Sequence, residues 1–106
     1  MSRPLETAKI KLVTVIATSE LEERLMADLR QAGATGYTIS SVHSGWGSHG
    51  SRHRGMFDTG NLRIELLVSA EVAKKLLEVI VTHYADMSLV AFAQDVEAVP
   101  RKNFLP

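Results

Sequence analysis

The chain has 106 residues, with twelve Lys and Arg against twelve Asp and Glu, a formal net charge of zero and no cysteine. That length makes one domain whose core is modest and which self-association would reinforce. Neutrality removes the bulk basic field that drives non-specific nucleic-acid or anionic-membrane binding, and the missing thiols exclude disulfides, thiol catalysis and zinc–thiolate sites. No apolar run approaches the roughly 20 residues of a membrane span, and the N-terminus lacks the apolar stretch of an export signal. A cytoplasmic protein without nucleic-acid partners or direct membrane insertion is expected.

In chain order, residues 9–17 mix alternation with β-branched side chains and predict a strand buried on at least one face. Ser19 and Glu22 then make an S-x-x-E capping box, two side chains that satisfy orphan N–H groups at a helix start. Leu21, Leu25, Leu29 and Ala32 recur every three or four residues and turn one apolar stripe toward a sheet. Glu22, Glu23, Arg24, Asp28 and Arg30 face water, and Gly33 is the expected stop. A strand is predicted over 37–42, with an alternating antiparallel partner over 61–68. Ser69 caps a second helix from Glu71 to about His83, with Val72, Leu76, Val79, Ile80 and Tyr84 on one side. The last strand, 88–99, is stopped by Pro100. The order βαββαβ is that of a ferredoxin-like α+β fold: a four-stranded antiparallel sheet with both helices on one face. The bare face predicts self-association, as a dimer or trimer.

Residues 43–60 hold five of the seven glycines, three of the four histidines and the single tryptophan. A hairpin of two to five residues would have joined the flanking strands, so the surplus marks a functional or mobile loop. Arg52, Arg54 and a run of backbone N–H groups face one carboxylate, Asp58, and the natural guest is an anion. His49 and His53, four residues apart and near His43, raise a second reading: a trimeric ferredoxin-like protein that binds a divalent metal for metal tolerance. That pair needs a helix, which glycines 47, 50 and 55 disfavour. For catalysis there is no cysteine nucleophile, no G-x-S-x-G elbow and no Walker A sequence. A non-enzymatic sensor is preferred to an oxygenase or isomerase built around His43 or His83.

The run Ala-Gly-Ala-Thr-Gly-Tyr-Thr-Ile at 32–39, followed by Gly45, Trp46 and Gly47 and a long polar loop, resembles the PII signalling family. It is most similar to the PII-like branch linked to bicarbonate uptake and carboxysomes, which shares the pair Tyr84 and Ala85. The resemblance spans one domain, 1–106, with a mobile T-loop at 46–60 and a C-terminal tail at 100–106. It implies a homotrimer that binds adenine nucleotides in clefts between subunits and rearranges the T-loop to report them. Residue by residue, it puts Thr38 beside the adenine and Gly45, Trp46 and Gly47 along the nucleotide. Ser48 is the next donor, Arg52 and Arg54 clamp phosphates, and the backbone near Ser88 and Leu89 reads the adenine edge. Arg101 and Lys102 reach the phosphates from the tail. Each residue has a plainer role as well: Gly45 and Gly47 as a strand end, Trp46 as packing, Thr38 as part of a strand, and the basic residues as solvated charge.

Three departures modify what the resemblance implies. Residues 82–89 contain neither the glycines nor the lysine that hold phosphates in the family, so ADP and AMP are expected to bind better than ATP. The loop has no tyrosine to modify. The spacing from Thr38 to Gly45 is one residue longer than in classical members. The implied partners are a bicarbonate transporter or a carboxysome-related protein, with ADP or AMP and bicarbonate as regulatory ligands and no cofactor or metal.

Overall fold

A computed structural model describes residues 4–42, 44–47, 50–53 and 60–104. Its centre is β1 (Ala8–Thr18), whose run of β-branched residues is flanked antiparallel by β5 (Asn61–Val68) and β6 (Leu89–Ala98). β2 (Thr38–Val42) adds to the free side of β5, giving the order β2-β5-β1-β6. Two helices, α1 (Glu22–Gln31) and α2 (Ala70–Tyr84), complete the ferredoxin-like α+β fold.

The register decides which side chains share a face. Val13 lies opposite Leu66 and Ala93, Val15 opposite Ile64 and Ala91, and Ala17 opposite Leu62 and Leu89. These residues face the helices, and Val13, Val15, Ala17, Ile64 and Leu66 form one core with Leu25, Leu29, Leu76, Ile80 and Tyr84. The alternate residues, Leu12 opposite Leu67, Thr14 opposite Phe92 and Ile16 opposite Val90, line the other face, away from the helices.

Helix ends agree with expectation in two cases and depart in one. Gly33 adopts φ +116°, its N–H bonds the carbonyl of Arg30, and the N–H of Ala34 bonds that of Leu29, a Schellman termination of α1. Ser69 Oγ accepts the N–H of Val72 at 3.2 Å and caps α2. The expected capping box of Ser19 and Glu22 is not formed. Ser19–Leu21 is instead a 3₁₀ turn without a side-chain cap, Glu22 is the first residue of α1, and the N–H of Ser19 donates to the carbonyl of Gly60. A tertiary backbone partner has replaced the local one.

The segment read as a plain loop contains a hairpin. β3 (Ser44–Gly47) pairs antiparallel with β4 (Gly50–His53), Gly45 opposite Arg52 and Trp46 opposite Ser51. Gly47 and Gly50 are opposite one another at the end of this pairing. His43, Ser48, His49, Arg54 and the rest of 54–59 lie outside the described residues, and with them the expected behaviour of most of the T-loop.

Candidate functional site

Strand register sorts the expected site residues between two ends of the sheet. At one end, which we call upper, Val42, Asn61 and Thr18 stand side by side, and Ala17 pairs with Leu89. The hairpin of β3 and β4 leaves from there, carrying Gly45, Trp46, Gly47 and Arg52. Ser88 precedes the first residue of β6 at the same end. At the lower end Ala8 pairs with Ala98. The chain then passes a cis Val99–Pro100 bond into a 3₁₀ turn, Arg101–Asn103, on which Arg101 and Lys102 are exposed. Ten residues of β6 separate the two ends, roughly 30 Å at strand rise. Thr38, the first residue of β2, pairs with Glu65, which lies opposite Thr14 at mid-sheet.

A cleft of about 540 Å³ beside the middle of the sheet holds Thr38 together with the C-terminal turn. Its walls include Leu12 and Leu67 from the open sheet face, Glu65, Tyr37 and Phe104. Thr38 and Glu65 are direct cross-strand partners, so a hydroxyl and a carboxylate stand beside each other above apolar side chains. Glu65 also faces Arg63 at 3.7 Å, a partly exposed and therefore weak ion pair. Arg30 donates to the hydroxyl of Tyr37 at 3.2 Å and lies 5.8 Å from its ring centroid, which ties this wall to α1. Sequence reasoning singled out Thr38 here and missed Glu65, Leu67 and Phe104. The alternation of 61–68 does put Glu65 and Leu67 on one face, but only the register sets them against Thr38, and only the final turn folds Phe104 onto them.

The upper end is organised around α1. Tyr84, buried at the end of α2, donates to Asp28 Oδ2 at 2.5 Å, and the Arg24 guanidinium lies 4.7 Å from its ring centroid. Burial first, and then the hydrogen bond to Asp28, push the Tyr84 phenol up to about 12. Arg24 also donates to the carbonyl of His83 at 3.3 Å. Beyond α2, the N–H of Met87 bonds the carbonyl of Tyr84, and the N–H of Leu89 bonds that of Met87. The N–H of Leu89 is thus already engaged within the connection.

Of the histidines in the metal reading, only His53 is among the described residues, on β4. Among the described residues no three His, Cys, Asp or Glu side chains gather as metal ligands, and no helix is long and apolar enough to cross a membrane.

Among known proteins, the model of the family described as nitrogen regulatory protein P-II matches residues 10–103. A PII-like signaling protein from Thermus thermophilus is 30% identical over 95% of this chain and 100% of its own, with a TM-score of 0.77. CPII from Thiomonas intermedia, in a structure bound to ADP and bicarbonate, is 29% identical over 88% of this chain and 91% of its own, with a TM-score of 0.78. A further structure of CPII, bound to ADP, AMP and bicarbonate, shows the same identity and coverage with a TM-score of 0.79. No curated protein matches the sequence.

Proposed function

Because the chain belongs to the nitrogen regulatory protein P-II family, we propose that it is a non-enzymatic signalling protein that binds ADP or AMP in clefts between copies of itself. The observation that carries this reading is the cleft that gathers Thr38, Glu65 and Leu67 with the C-terminal turn, beside the strand β2 that precedes the glycine-bearing hairpin. In this reading the hairpin base of one chain closes over the cleft and C-terminal turn of the next. Such head-to-tail contacts close into rings, and a trimer is the ring the family resemblance favours.

The cleft suits the base half of the ligand. Leu12, Leu67 and Phe104 offer apolar surface to a flat ring, and the Glu65 carboxylate beside Thr38 accepts from an exocyclic amine. Arg101 and Lys102, just before Phe104, bring positive charge for phosphates. From the neighbouring copy, Gly45, Trp46, Gly47, Ser48, Arg52 and Arg54 approach the same nucleotide, and Ser88 and Leu89 stand near it. The connection from α2 to β6 has no glycine or lysine, carries Asp86, and has the amides of Met87 and Leu89 engaged. It makes a poor cradle for a third phosphate, which favours ADP and AMP over ATP.

CPII, bound to ADP and bicarbonate, supports a related ligand set here. In this reading bicarbonate sits beside the phosphates, and residues 46–60 report the bound state to a partner in inorganic-carbon uptake, a bicarbonate transporter or carboxysome-related protein. Calorimetric titration with AMP, ADP and ATP, with and without bicarbonate, tests it. We expect ADP and AMP to bind more tightly than ATP, and Arg101→Ala to weaken ADP at least tenfold while the oligomer persists. Absence of AMP and ADP binding overturns the reading, and unchanged affinity in Arg101→Ala removes Arg101 from the site.

A further inference from the structure

We propose that Arg24, on α1, is a positioning residue that pins the connection from α2 to β6, residues 85–88, and so shapes the wall this connection gives to the nucleotide cleft. Three contacts converge on that segment from one side chain. The guanidinium stacks over Tyr84 at 4.7 Å, its Nη2 donates to the carbonyl of His83 at 3.3 Å, and its Nη1 lies 4.0 Å from the sulfur of Met87. Residues on both sides of the start of the connection are therefore held by α1, 59 to 63 positions away in sequence.

The held segment is closed on itself. The N–H of Met87 bonds the carbonyl of Tyr84 at 3.0 Å, and that of Leu89 bonds Met87 at 2.8 Å. No glycine lies between Thr82 and Leu89 to let the backbone fold into an anion-binding concavity. The connection is built from non-glycine residues, and Arg24 adds a tertiary constraint by satisfying a carbonyl at the end of α2 and stacking on the last helical side chain. Asp28 completes the arrangement one turn along α1, where it accepts the hydroxyl of Tyr84 in a 2.5 Å hydrogen bond and fixes the ring on which Arg24 stacks. The pinned segment lies at the upper end of the sheet with Ser88 and the hairpin base. Its shape therefore bears on ligand binding without Arg24 touching the ligand.

The proposal rests on the nucleotide reading above, and its test separates the two. Amide hydrogen exchange and ADP titration are measured on the wild-type protein, Arg24→Ala and Arg24→Lys. In Arg24→Ala we expect exchange at Met87 and Leu89 to quicken at least tenfold and ADP affinity to fall at least fivefold, while the amides of Val13, Val15 and Ile64 stay protected. Arg24→Lys, which keeps the charge and stem but loses the planar fork, falls between, and it carries the test if the alanine variant loses core protection. Unchanged ADP affinity overturns the proposal. So does an affinity loss with Met87 and Leu89 still protected, because the effect would then bypass the connection. If the wild-type protein binds neither AMP nor ADP, the nucleotide reading fails and takes the binding role of Arg24 with it.

Discussion

Tyr84 shows how much one side chain can carry. Its ring lies in the core, its hydroxyl meets Asp28, and Arg24 covers one face. A phenol hydrogen-bonded to a carboxylate contributes about 1.5–3 kcal/mol, so Tyr84→Phe should lower stability by that order in urea unfolding at neutral pH. The pH dependence has a definite sign. The folded state holds the neutral phenol, with its pKa raised from 10.0 to about 12, so this contribution is whole below pH 10 and is lost as the pH climbs toward 12. The gap between wild type and Tyr84→Phe should therefore be constant up to pH 10 and narrow above it. A gap that stays constant through pH 12 would show that the phenol is not held neutral. The apolar spacing of α2 marked Tyr84 as inward-facing. Its polar partner was not legible, because Asp28 lies 56 positions away and its charge reads as ordinary solvated surface.

At the scale of elements, local chemistry prevailed where nothing competed with it. Gly33 ends α1 in a conformation that other residues rarely adopt, and a Cβ there would stand 3.4 Å from Val72 Cγ2. Gly33→Ala should cost at least about 1 kcal/mol, read as a lowered thermal midpoint, and an unchanged midpoint would mean the turn re-forms without the positive φ. Ser69 capped α2 as its position promised. At Ser19 the capping pattern was equally clear, yet the N–H turned to the carbonyl of Gly60, because the start of β5 lies alongside the end of β1. The hairpin of β3 and β4 was also hidden. Its residues are glycine, serine, histidine and arginine with a single tryptophan, a composition without strand propensity or alternation, so the pairing is visible only in the folded chain.

At the scale of the whole molecule, the sheet has one face without helices. Leu67, Val90 and Phe92 on it are 43%, 47% and 41% exposed, while Thr14 between them is buried with its Oγ1 unpaired among the described residues. An apolar surface around a dry hydroxyl is better matched by a second copy than by water. Phe92→Glu should shift the protein toward monomer in light scattering and weaken ADP binding with it, since in the proposed arrangement each cleft is completed by a neighbour. An unchanged mass would place the subunit contact elsewhere. The sequence by itself determined the βαββαβ order, the helix stripes, the inward faces of the strands and the family, because each rests on periodicity, turn chemistry or short runs of neighbouring residues. The tertiary structure alone decided that Thr38 shares a cleft with Glu65 and Phe104, although β2 and β6 leave the sheet at opposite ends. Strand register and the path of the final turn set that arrangement, and both follow from how the whole chain buries its apolar surface rather than from any local pattern.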